Sequence, residues 1–202
     1  DVEGAVARFL LASGQAHMPE GVYALVEQDI EQAGAVPDGW LAYSDEVFGF
    51  FFAHPMTWEG PQNTEQSRLF YLKQDEPAGP AFPVFYVTVI PEGYTNADFE
   101  AYNFWSAEEV AAALALEPGA SGPVNGAEGY DIYTRLSDVT TAAGLTGAVL
   151  ESARVWEGGP DTRDRRVLLT HEGTLYMLGT YYTTPEELQV FEQVVASFEA
   201  VE

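Results

Sequence analysis

The chain has 202 residues, 47% of them hydrophobic, no cysteine, and a formal charge of −24 from 32 acidic and 8 basic residues. That length and apolar content suit a domain with its own core and no covalent staple, and the missing cysteines exclude disulfides, thiolate metal sites and cysteine nucleophiles. The charge repels phosphate backbones and anionic lipid, which argues against nucleic acid as a partner, and no apolar run nears the roughly 18 residues of a membrane-spanning helix.

In the first part of the chain, Val2, Val6, Phe9 and Leu10 fall on one helical face. After a break at His17-Met18-Pro19-Glu20-Gly21, Val22, Leu25, Val26 and Ile30 form a second. Ala33-Gly34-Ala35-Val36-Pro37-Asp38-Gly39 is a stop signal and linker. The sequence thus divides into an N-terminal helical segment with its linker, 1–39, and a main domain, 40–202.

From Trp40 the period becomes two. Residues 41–43 and 48–53 predict strands around the turn Ser44-Asp45-Glu46. Gly60-Pro61-Gln62-Asn63 reads as a loop, 68–73 as a strand, and Glu76-Pro77-Ala78-Gly79-Pro80 as a second loop. The Val-, Phe- and Tyr-rich run 82–90 is a strand bounded by Pro83 and Pro91. A short helix is expected over 98–103. Ser106-Ala107-Glu108-Glu109 has capping-box spacing for a helix continuing over 110–116, which Pro118, Gly119, Gly122 and Pro123 end.

Alternation returns over 130–136 and 146–156, and residues 157–162 turn the chain. Strands over 167–170 and 175–182 flank His171-Glu172-Gly173, a tight turn whose glycine is placed for a positive φ. In the last helix Thr184 is the N-cap, Pro185 the first residue and Glu187 the closing member of a capping box. Leu188, Phe191, Val195 and Phe198 line one face, so the helix is expected to lie across the sheet. The order of elements predicts an α+β sandwich whose neighbouring strands are mostly antiparallel.

The run from Phe48 through Phe50-Phe51-Phe52-Ala53-His54-Pro55 to Trp58 is similar to the opening of the PsbP/Mog1-like family. Asn125-Gly126-Ala127-Glu128-Gly129-Tyr130, and a closing helix that ends on Val194-Val195-Ala196-Ser197-Phe198, also resemble it. The resemblance covers about residues 40–202. It implies an α/β/α sandwich with a central antiparallel sheet. It also implies a binding or assembly module, as in extrinsic photosystem subunits, a small-GTPase regulator and bacterial lipoproteins. The single lysine, Lys73, fits the bacterial lipoprotein branch better than a lysine-bearing photosystem docking subunit. The family supplies no shared catalytic set, and no cofactor is expected.

The chemistry-bearing residues are few. His17, His54 and His171 have no metal-ligand spacing, and His54, before Pro55, reads as a polar turn residue. Glu157, Asp161 and Asp164 put three acids in a Gly-rich stretch, a candidate calcium loop or a solvated hairpin tip. Arg163, Arg165 and Arg166 are the one local cluster of positive charge, either paired with neighbouring acids or open to an acidic partner. Tyr102, Phe104 and Trp105, with Phe99, are an aromatic group that either packs on the sheet or forms a partner-binding groove.

The reading is a non-enzymatic binding or assembly module with a protein partner, extracytoplasmic and tethered by a lipidated N-terminus removed ahead of Asp1. The alternative is an enzyme using carboxylates in a cleft. If the acidity is an adaptation to salt, screening should relieve self-repulsion. The thermal midpoint should then rise between low and high sodium chloride, and a flat response would count against it. A rise specific to millimolar calcium would instead point to an ion site.

Overall fold

A computed structural model describes residues 36–64, 67–73, 83–90, 107–123, 132–154 and 162–201. The helical segment expected over 1–39 lies outside the described residues up to position 35, as does the helix expected over 98–103. Two antiparallel sheets organise the rest. The hairpin of β1 (Trp40–Asp45) and β2 (Phe50–Pro55) is joined on the free side of β2 by the short β11 (Glu199–Ala200).

The second sheet has eight strands. They are β3 (Trp58–Asn63), β4 (Ser67–Leu72), β5 (Phe85–Ile90), β6 (Ser121–Pro123), β7 (Ile132–Thr140), β8 (Thr146–Arg154), β9 (Thr162–His171) and β10 (Thr174–Tyr182). Their order is β3-β4-β5-β10-β9-β8-β7-β6. The described helices are α1 (Ala107–Leu114) and α2 (Pro185–Ala196).

This overturns the α/β/α sandwich. The described residues are mostly β, in sheets of three and eight strands, with two short helices. One cause is that β1 and β2 close a sheet of their own instead of joining the central one. Another is that stretches rich in turn residues pair as strands. β3 carries Gly60 and Pro61, yet pairs with β4 across an irregularity between Glu59 and Gln62. It is an edge strand, where a residue without an amide proton leaves no ladder bond unmade, and the bulge absorbs the rest. Pro123 ends β6, the opposite edge.

Sequence alternation sets the two cores. Phe85, Val87 and Val89 of β5, Val167 and Leu169 of β9, and Tyr176 and Leu178 of β10 face Tyr43, Phe50 and Phe52 of the small sheet and Phe191, Val194, Val195 and Phe198 of the closing segment. The intervening residues Tyr86, Leu168, Leu175 and Met177 face the other way, in a core shared with Val110 and Ala113 of α1. Glu172 and Gly173, with φ of 47° and 81°, make the two-residue turn between β9 and β10, where His171 pairs with Thr174. Consecutive positive φ values match the strands' right-handed twist. At Gly179 a β-carbon would lie 2.0 Å from Tyr86 Cζ, so only glycine lets the Tyr86 ring cross the neighbouring strand.

The capping box of α2 forms as expected. Thr184 Oγ1 accepts from the Glu187 amide at 3.2 Å, and Glu187 Oε2 accepts from the Thr184 and Thr183 amides at 3.0 and 2.7 Å. Phe191, Val194, Val195 and Phe198 are buried, Leu188 packs at the margin and Gln189 is exposed. Phe191→Ala should therefore destabilise the fold by roughly 3–5 kcal/mol in chemical denaturation, while Gln189→Ala should change almost nothing. Equal small effects would show that α2 is peripheral to the core.

Candidate functional site

The alternation of β9 splits Arg163-Asp164-Arg165-Arg166 between the two faces of the large sheet. Asp164 and Arg166 point with Leu168 into the α1-side core. Arg163 and Arg165 point with Val167 and Leu169 toward α2. Register places Asp164 beside Tyr181 and Ser152, and Arg165 beside Glu151 and Thr180.

On the α1 side, Asp164 is fully buried. Its Oδ2 accepts from Arg166 Nη2 at 2.9 Å and from Tyr133 Oη at 2.5 Å. The Arg166 guanidinium lies 5.2 Å from the Tyr133 ring centroid and reaches Met177 Sδ at 3.7 Å. Tyr86 lies nearby, and burial raises its phenol pKa well above the usual value. An ion pair here is retained only because each charge is met by its partner and by hydrogen bonds. Removing one member would leave the other buried and uncompensated.

On the α2 side, Glu151 is the hub. Its Oε2 accepts from Arg165 Nη2 at 2.5 Å and from Tyr182 Oη, and its Oε1 from Arg163 Nη1 at 2.6 Å. Burial pushes its carboxyl pKa up, but the hydrogen bonds from Tyr182 and Arg165 outweigh this and hold it below the usual range. A third pair lies where the small sheet meets β4. Asp45 is buried against Arg68 and accepts from Tyr43 Oη at 2.9 Å and from the Val47 and Phe48 amides at 3.0 Å each. The Arg68 guanidinium lies 4.4 Å from the Phe48 ring centroid. Arg135, on β7, donates from Nη1 to the Leu114 and Leu116 carbonyls at 2.6 Å each. It supplies from outside the positive charge that the last turn of α1 lacks.

The expected site residues therefore disperse. Arg165 and Arg166 are buried inside β9, which begins earlier than the predicted strand, and Arg163 is exposed but paired with Glu151. Of the candidate calcium ligands, Asp164 is engaged by Arg166 and Tyr133, while Glu157 and Asp161 lie outside the described residues, as do Tyr102, Phe104 and Trp105. Among the described residues no group of three His, Cys, Asp or Glu is placed to hold a metal, and no helix is long and apolar enough to cross a membrane. Tyr86, Tyr133, Glu151 and Tyr182 were not singled out by sequence. Continuing the period of two backward from Val167 would have put Arg163–Arg166 in a strand and asked each face for a partner.

His54 is not a polar turn residue. It is buried in β2, its Nδ1 donates to the Pro55 carbonyl at 3.1 Å, and its ring lies among Phe52, Trp58 and Phe70, with no partner for Nε2 among the described residues.

No protein-family model matches the chain, and no curated protein matches it in sequence. Solved structures similar to it include these two. One is a protein from Bacteroides thetaiotaomicron VPI-5482, at a TM-score of 0.50 and 14% identity over 80% of this chain and 48% of that one. The chain thus spans about half the length of that protein, and the likeness is one of fold. The other is the cyanobacterial PsbP (CyanoP) from Synechocystis sp. PCC 6803, at a TM-score of 0.43 and 18% identity over 83% of this chain and 95% of that one. That superposition is too loose to fix a shared fold by itself.

Burial lowers the His54 pKa to about 4 from 6.5. The unfolded chain then binds the extra proton first as pH falls. The stability from keeping His54 neutral is present above pH ~6.5 and is lost between about 6.5 and 4, by roughly 3 kcal/mol in all. Denaturation of the native protein and of His54→Phe at stepped pH should show the gap shifting in favour of the variant across that window. A pH-independent difference would mean that His54 is hydrated or finds an acceptor when protonated.

Proposed function

We propose that this chain is a non-enzymatic binding or assembly module of the PsbP/Mog1-like kind, working outside the cytoplasm and tethered through a lipidated upstream residue. The observation that carries the reading is the state of three carboxylates, buried at Asp45 and Asp164 and half-buried at Glu151. Asp45, Glu151 and Asp164 are each gripped by an arginine and a tyrosine hydroxyl. A carboxylate enzyme needs one acid raised toward neutral pKa in a cleft. Glu151 is held in the opposite direction, as a charge partner is. The extracytoplasmic placement rests on the resemblance to the bacterial lipoprotein branch.

Carbon-13 NMR titration of the Glu151 carboxyl tests the module against the enzyme. A midpoint below the ordinary glutamate value, lost in Arg165→Met, is expected. A midpoint near neutrality would overturn the reading in favour of acid–base chemistry. The compartment is tested separately by the gene's encoded N-terminus. A leader with a lipobox cysteine is expected, and a start methionine without any apolar stretch would overturn the placement.

A further inference from the structure

Among the described residues the sheets have four edges, and three are blunted. β3 carries Pro61 and a register irregularity, β6 is three residues long and ends on Pro123, and β11 has two residues. Proteins protect edges in these ways because a free row of amides and carbonyls templates another strand. β1 has none of these devices. It is six residues long, without proline, lysine, arginine or bulge, and pairs with β2 in unbroken register from Trp40↔Pro55 to Asp45↔Phe50.

The backbone parity of β1 follows from its neighbours. The Val201 amide donates to the Gly49 carbonyl and Glu199 pairs with Phe51, so the odd residues of β2 bond toward β11 and its even residues toward β1. In β1 the residues opposite them are Leu41, Tyr43 and Asp45, consistent with the Met56 amide bonding the Gly39 carbonyl. The amides and carbonyls of Ala42 and Ser44, and the Trp40 carbonyl, therefore face away from the sheet. The Trp40 amide is taken by the Pro37 carbonyl. Among the described residues nothing bonds the Ala42 and Ser44 groups.

The edge is also held rigid. Tyr43 is buried in the core, and Asp45, tied to Arg68, grips the turn that follows. A strand fixed in this way meets a partner without first losing conformational freedom. We propose that β1 is a docking edge that takes an extended segment of another protein, alternating apolar and basic residues, as a fourth strand of the small sheet.

The chemistry of the partner follows from the surroundings. Ala42 and Ser44 are small and half-buried, leaving room beside them for larger side chains. Asp38 and Glu46 are exposed at the two ends of the strand, and the nearby cation Arg68 is consumed by Asp45. Val47, 80% exposed just past the end, offers an apolar contact. A second copy of the chain would bring another charge of −24 to the same edge, whereas a basic segment is drawn in.

The proposal deepens the binding-module reading and rests on it. A neutral Glu151 midpoint would sink that reading without touching the edge, and failure at this edge would leave the module without its docking strand. The test uses a short fluorescent peptide alternating lysine and valine, titrated with the protein at fixed salt. Two further peptides carry N-methyl groups either on the lysines or on the valines. In a paired strand only one of these sets faces β1.

One methylated peptide should bind like the parent and the other about tenfold weaker or worse. Ala42→Pro, which removes an outward amide and leaves the β2 ladder intact, should give the same loss with little change in thermal midpoint. Equal binding by all three peptides would overturn the proposal, because the lysines would then be adsorbing to a diffuse acidic surface. Equal weakening by both methylations would overturn it too. If Ala42→Pro fails to fold, the methylated pair decides alone. Self-association of the protein at this edge in place of peptide binding would overturn the choice of occupant.

Discussion

Phe52 meets Phe85 at 5.0 Å, Phe70 at 5.4 Å and Tyr43 at 5.4 Å between ring centroids, and Phe50 stacks on Phe198 at 5.5 Å. This aromatic layer is the contact through which the small sheet, the large sheet and the closing segment hold one another. Each ring removes a large apolar area from water, and edge-to-face or offset packing adds a smaller term. Without it, β1, β2 and β11 would be an isolated three-stranded ribbon with little to stabilise it. Ser197 ties the same junction by polar means, accepting from the Ala53 amide at 2.9 Å and donating to the Val194 carbonyl at 2.8 Å. The chain's last strand is thereby fixed to one of its first.

Polar groups inside the protein follow a second constraint. A chain with 8 basic residues against 32 acids buries Arg68, Arg165 and Arg166. Each meets a carboxylate, buried at Asp45 and Asp164 and half-buried at Glu151, which avoids the several kcal/mol that an uncompensated buried charge costs. Tyrosine hydroxyls from Tyr43, Tyr133 and Tyr182 occupy further lone pairs of those carboxylates. The consequence is electrostatic. Each of these cations goes inward with a carboxylate partner, so the surface keeps the excess of negative charge that the composition gives. Such a surface selects partners by sign and speeds encounter with basic ones.

The proposed reading places the protein's binding chemistry on its backbone more than on reactive side chains. Asp45, Glu151 and Asp164 are tied into the frame, whereas the β1 edge combines rigidity with hydrogen-bonding groups that have no partner among the described residues. Specificity would then come from main-chain register plus charge, a combination that tolerates sequence variation in the partner.

Local physics made much of this legible in the sequence. Runs of strong β-formers marked β5 and β10, and Glu172-Gly173 marked the turn that joins β9 to β10. Thr184, Pro185 and Glu187 marked the start of α2, because caps and turns depend on neighbours in the chain. Sequence could not say that Phe48–Ala53 belongs to a separate sheet, since alternation fixes which side chains share a face but not which strand lies beside them. Nor could it place Pro61 in a strand, because proline's tolerance depends on its amide position facing an edge. The burial of His54, and which acids would pair with Arg163, Arg165 and Arg166, lay beyond the sequence for a related reason. A polar residue's environment is set by what packs over it from distant strands, and Asp164 meeting Tyr133, or Arg165 meeting Glu151, exists only once β7, β8 and β9 lie side by side.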